Sequence, residues 1–131
     1  MIDDVNTADI TTKEARQRAA AMVMKLFEHW HLSKPDQLML LGLAPGSRSV
    51  LHNYQHGGAI SPRPEMLERV GYLFSIHTHL RTIFPENRVM AYGFMTAKNK
   101  EFDNLTPIEV VEKYGHKGLQ MIESHLECQP F

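Results

Sequence analysis

Apolar residues in this 131-residue chain recur at helical spacing almost throughout, and no segment alternates convincingly with period two, so the fold class expected is all-α. Thr11 and Glu14 stand at capping-box spacing before Ala15, Ala19, Met22, Leu26 and Trp30, with Val23 and Phe27 widening the stripe. These signals predict a helix from about residue 12 to 31. Ser33 and Asp36, with Pro35 near the first turn, open a short helix through Leu38, Leu40 and Leu41 that Gly42 is placed to end. Ser47 can cap a third helix running to Gln55 or His56, stopped by Gly57 and Gly58. Between Glu65 and Phe84, residues Leu67, Val70, Leu73, Phe74, Ile76, Leu80 and Ile83 mark a long central helix ended by Pro85. A short helix over 87–95 and a structured loop over 96–105 follow. Thr106, Pro107 and Glu109 combine an N-cap, an N1 proline and an N3 glutamate, and the helix they start should stop at Gly115. Leu119, Met121, Ile122 and Leu126 predict one last helix, with 128–131 as a loose tail.

The size suits one compact domain or two small helical lobes sharing a core. No apolar run is long enough to span a bilayer, and the acidic start of the chain lacks a signal peptide's basic region and apolar stretch. The single cysteine, Cys128, cannot form an internal disulfide. The expected setting is therefore cytoplasmic, without a membrane partner. The formal net charge of −1 conceals an uneven distribution. Residues 1–36, 37–100 and 101–131 carry 5, 7 and 2 bases against 6, 3 and 6 acids, giving −1, +4 and −4. Between Asp36 and Glu65 there is no carboxylate, while Arg48, Arg63, His52 and His56 lie there. A surface that approaches phosphates needs that absence of repulsion as well as cations.

A short helix, a turn and a second short helix with an exposed polar face is the helix-turn-helix pattern, whose second member enters the major groove. Its context is given by Trp30-His31-Leu32-Ser33, Leu40-Leu41-Gly42-Leu43 and Ser47-Arg48-Ser49-Val50-Leu51, followed by Tyr54 and Gly57. Further along stand Leu67-Glu68-Arg69-Val70-Gly71, Ile76-His77 and Leu80-Arg81-Thr82-Ile83-Phe84-Pro85, then Asn99, Phe102 and Thr106-Pro107-Ile108-Glu109-Val110-Val111. From about Trp30 to its end the chain resembles the Xre/MbcA/ParS antitoxin family. The resemblance implies an Xre-like helix-turn-helix DNA-binding domain over 1–64. It also implies a helical toxin-binding domain over 65–131, joined to the first through the long central helix. It further implies a cognate RES-type toxin that consumes NAD⁺ or ADP-ribosylates proteins, direct neutralisation of that toxin, and autorepression of the operon. The chain departs from the family where a basic cluster is replaced by Tyr54-Gln55-His56, where Lys98-Asn99 replaces Pro-Asn, and where Asp103-Asn104 replaces a glycine pair. Fewer cations predict a shallower salt dependence of DNA binding.

On the DNA side, Ser47 and Ser49 can donate to phosphates, Arg48 can bond a phosphate or the O6/N7 edge of guanine, and Asn53 carries the group suited to adenine. His52 and His56 lie one turn apart on the same face, and Arg63 can steady the backbone from the connector. On the toxin side, the acidic C-terminal block suits a cationic nucleotide pocket, which places Glu123, Glu127 and the terminal carboxylate of Phe131 near the toxin. Asn99 and Glu109, from the last matching block, join that set. A homodimer is expected because such readers occupy paired half-sites, with the 65–84 helix as a candidate interface. The eight histidines raise a metal-dependent enzyme as a second reading. The i,i+4 pair His52/His56 can hold a metal, but His29/His31 and His77/His79, two apart, point to different helix faces, and no HExxH motif or nucleophile–base pair is present. No catalytic residue, metal or cofactor is expected. The alternative is a stand-alone helix-turn-helix transcription regulator without a toxin.

Overall fold

A computed structural model describes residues 12–129. Among them are seven α-helices: α1 (Lys13–His29), α2 (Lys34–Leu40), α3 (Arg48–Gln55), α4 (Pro64–Ile83), α5 (Arg88–Gly93), α6 (Pro107–Tyr114) and α7 (His116–Glu127). Two 3₁₀ turns, Phe94–Thr96 and Lys100–Phe102, lie between α5 and α6. The only extended pairing among the described residues is an isolated antiparallel bridge between Asn99 and Leu105. The chain is all-helical over these residues, and none of their helices is long and apolar enough to cross a membrane.

Helix ends show how local chemistry fixes the boundaries. Thr12 is the N-cap of α1 and its hydroxyl accepts from the Ala15 N–H at 3.1 Å. Thr11, the expected cap, lies outside the described residues. The helix ends in a Schellman pattern: Leu32 N–H donates to Phe27 O, His31 N–H donates to Glu28 O, and His31 itself adopts a left-handed φ of 56°. Ser33 caps α2 through the Asp36 N–H at 3.3 Å. The same Schellman pattern closes α2, with Leu43 N–H on Leu38 O, Gly42 N–H on Met39 O, and Gly42 at φ 71°. Glycine is doubly required here, because a Cβ would also stand 2.7 Å from Arg69 Nε. Ser47 precedes α3 but its side chain makes no capping bond, contrary to expectation; its φ/ψ of −91°/35° is outside the extended region of a standard N-cap. Thr106 and Glu109 form the full reciprocal box on α6, at 3.1 and 2.8 Å, and Gly115 at φ 62° separates α6 from α7.

One apolar core runs through all of these helices. α4 is its axis, packed by α1, α5 and α7, and it buries Met66, Val70, Leu73, Ile76 and Leu80. Trp30 and Phe27 from α1's end, and Leu119 and Ile122 from α7, are fully buried against the same core. Each such side chain contributes about 1.5–3 kcal/mol by leaving water. The exposed positions of α4 are Pro64, Glu65, Glu68, Gly71, Thr78 and Thr82, with Leu67, Phe74 and Ile83 half-buried. α2 packs on α6, and α1 on α3, so the segments before and after residue 64 meet in the core. The α6–α7 crossing is close because Gly118 faces the α6 backbone: a Cβ there would lie 2.7 Å from Val110 O.

Candidate nucleic-acid interface

The α3 segment has a narrow apolar side. Leu51 and Tyr54 are buried, Val50 is half-buried, and Arg48, Ser49, His52, Asn53, Gln55 and His56 are exposed. Three ties hold the connector after α3 to the scaffold. Ile60 N–H donates to Arg16 O at 3.0 Å, the Arg16 guanidinium returns a bond to Ile60 O at 2.8 Å, and Gln17 Nε2 donates to Gly57 O at 3.0 Å. The buried Tyr54 hydroxyl accepts from Ser61 N–H at 3.4 Å. A short helix that would be marginal alone is thereby fixed in orientation.

The turn preceding α3 is braced from α4. Arg69 Nη1 donates to Leu40 O at 3.0 Å and lies 3.5 Å from Met39 O, placing a cation at the C-terminal carbonyls of α2. Burial lowers the Arg69 pKa from its ordinary value. Nothing in the local sequence announces this role, since the partners are about thirty residues apart. Beside the turn lies a groove of about 600 Å³ between α3, the connector and α4, where Ser49, Asn53, Arg63 and Arg69 meet a single carboxylate, Glu65.

Most of the sequence-derived DNA set is thus brought to one surface. Arg48, Ser49, His52, Asn53 and His56 share the exposed side of α3, and Arg63 stands exposed across the groove. Ser47 is half-buried at the helix start. The His52 and His56 rings stack with centroids 4.1 Å apart, and His56 Nδ1 lies 2.7 Å from the His52 carbonyl. A carbonyl only accepts, so His56 Nδ1 carries the proton, and in the neutral ring Nε2 is left outward as an acceptor. Protonation makes both nitrogens donors and adds a positive charge.

The C-terminal candidates have different surroundings. Asn99 Oδ1 accepts from Glu101 N–H at 2.9 Å, while its backbone bonds Leu105, Phe102 and Asn104, so it organises the 99–105 loop. Glu109 serves the α6 capping box. The bond from Thr106 N–H, more than any other influence, holds its carboxyl below the usual value. Glu123 turns inward: its Oε2 accepts from Ser75 Oγ at 2.8 Å and lies 3.1 Å from His79 Nε2. Glu127 is exposed, and Phe131 lies outside the described residues.

A third polar group had no sequence signal. Tyr92 of α5 is stacked by His29 at 4.7 Å and more loosely by His77 at 6.4 Å, with the Arg81 guanidinium 6.0 Å from its ring centre. His29, His77 and Tyr92 line an apolar groove of about 400 Å³ between α1, α4 and α5. Burial, then the Arg81 charge, then His29 lower the His77 pKa. Nearby Met22, Val89 and Met90 are exposed, Val89 by 83%.

No family model, no curated protein and no solved structure matches the chain.

Proposed function

We propose that the chain is a DNA-binding antitoxin, with α2 and α3 as its helix-turn-helix and the acidic C-terminal end as its toxin-binding part. The observation carrying the DNA half is the rigidly held, carboxylate-free exposed side of α3, which groups Arg48, Ser49, His52, Asn53 and His56. Those side chains are suited to phosphates and to purine edges, and Arg63 adds a cation beside them. In this reading α3 enters the major groove and Arg69 holds the turn that aims it.

Support for the toxin half comes from the family resemblance and from the charge of residues 101–131, where Glu101, Glu112 and Glu127 are exposed. A RES-type toxin's nucleotide pocket needs cations for a pyrophosphate, and an acidic surface is complementary to it. Asn99, Glu109 and Glu123 then act as scaffold for that surface. A homodimer on paired half-sites belongs to this reading, with α4 as its candidate interface.

The test is co-expression with the RES-type reading frame sought beside this gene. Growth rescue and co-purification are expected, with rescue weakened when Glu112 and Glu127 are both changed to Lys. Tight operator binding with no such neighbour and no rescue would instead make the chain a stand-alone regulator.

A further inference from the structure

One polar cluster lies away from α3, and its exposed member, Glu127, also belongs to the acidic surface of the proposed function. On α4, Ser75 and His79 are one turn apart; on α7, Glu123 and Glu127 are one turn apart, and the two helices bring these pairs together. The ligand atoms of His79, Glu123 and Glu127 all lie within 4.8 Å of one another. We propose that they form a binding site for a divalent transition metal of the zinc type, clamping α7 to α4.

The donor set argues for that class. One imidazole nitrogen with two carboxylates suits zinc, whereas magnesium and calcium require more oxygen ligands and no nitrogen. Ligands about 2.0–2.1 Å from a tetrahedral zinc stand roughly 3.3 Å from each other, and His79 Nε2 and Glu123 Oε2 already stand 3.1 Å apart. Ser75 supplies the outer support such sites use: its hydroxyl donates to Glu123 Oε2, fixing the carboxylate's orientation. Glu123 and Glu127 are like charges at i,i+4, an arrangement that repels in the absence of a cation. His79 and Glu123 are half-buried and Glu127 is exposed, which gives an ion an entry path from solvent and leaves the fourth position to water. This pairing depends on tertiary packing: neither His77-x-His79 nor Glu123-x₃-Glu127 alone would be read as a site.

The experiment uses untagged, chelator-treated full-length protein titrated with Zn²⁺ by calorimetry, with Co²⁺ as a spectroscopic probe. One equivalent is expected to bind, Co²⁺ giving visible d–d bands of low-symmetry coordination that excess Zn²⁺ removes. At free Zn²⁺ a hundredfold above its Kd, the folded-to-unfolded ratio should rise about a hundredfold. His79→Gln and Glu127→Gln should each weaken binding at least tenfold; Glu127 is exposed, so its variant is expected to fold normally. Absence of binding would overturn the proposal, leaving a simple His79–Glu123 contact. Binding lost in His52→Gln but kept in His79→Gln and Glu127→Gln would also overturn it, by assigning the ion to the α3 histidine pair.

Discussion

The α3 surface and the α6–α7 end use polar residues in opposite ways. On α3 the polar side chains point outward, and the scaffold is held by backbone atoms and by residues from other helices: Arg16, Gln17 and Arg69. At the C-terminal end the polar side chains are themselves the scaffold, in the Asn99 loop, the Thr106–Glu109 box and the Ser75–Glu123 contact. A side chain engaged in holding the fold is poorly available to a partner. The comparison therefore separates a helix side whose polar groups face solvent from a region whose polar groups are largely engaged in the fold, leaving mainly its exposed acids outward.

The largest expected effect tests the scaffold side of that contrast. Gly118→Ala forces a methyl against the α6 backbone and should cost about 1–3 kcal/mol of stability, measured by urea unfolding. Because α6 also packs on α2, loosened DNA binding should accompany it. Arg48→Ala should do the reverse, weakening DNA affinity by about 1–3 kcal/mol if Arg48 reads guanine. Its stability should stay within about 0.5 kcal/mol of the parent, since Arg48 is exposed. A comparable loss of stability would show that the α3 polar side chains are structural after all. Thr106→Ala should cost about 1 kcal/mol by removing the α6 cap, without a direct effect on DNA contacts.

The smallest effect concerns pH. His77 has a folded pKa below its ordinary 6.5, so the unfolded chain takes up its proton first as pH falls. The stability present above pH 6.5 is therefore lost as pH drops from there through the folded value. His77→Gln should flatten that part of the stability–pH curve in thermal melts at a series of pH values. An unchanged slope would mean that the Tyr92 cluster accommodates a charged His77.

Much of the fold was legible because helix signals are local. The Thr106–Glu109 box, the Ser33 cap, the left-handed Gly42 and Gly115 and the long apolar stripe of α4 each lie within a few residues of the boundary they set. The left-handed His31 was not legible, since glycine is the usual signal there. Nor was the missing Ser47 cap bond, which depends on the geometry of the preceding turn. The grouping of the α3 candidates could be read because they share one face of one short helix. The inward turn of Glu123 could not be, because Ser75 and His79 lie 48 and 44 residues away. Arg69 shows the same limit, since its task is assigned only by the carbonyls of α2, about thirty residues away.

The central claim is that the exposed side of α3 contacts DNA, and the most direct measurement is binding of the protein to its own upstream DNA across a salt series. The slope of log K against log salt is expected to be negative and shallow, at about −0.9 for each phosphate neutralised, because few cations line the surface. If Arg48 contacts a phosphate, Arg48→Ala should reduce the slope by about one; if it reads a base, affinity should fall with loss of sequence preference. Absence of binding at low salt, or an Arg48→Ala protein unchanged in affinity, slope and sequence preference, would contradict the account.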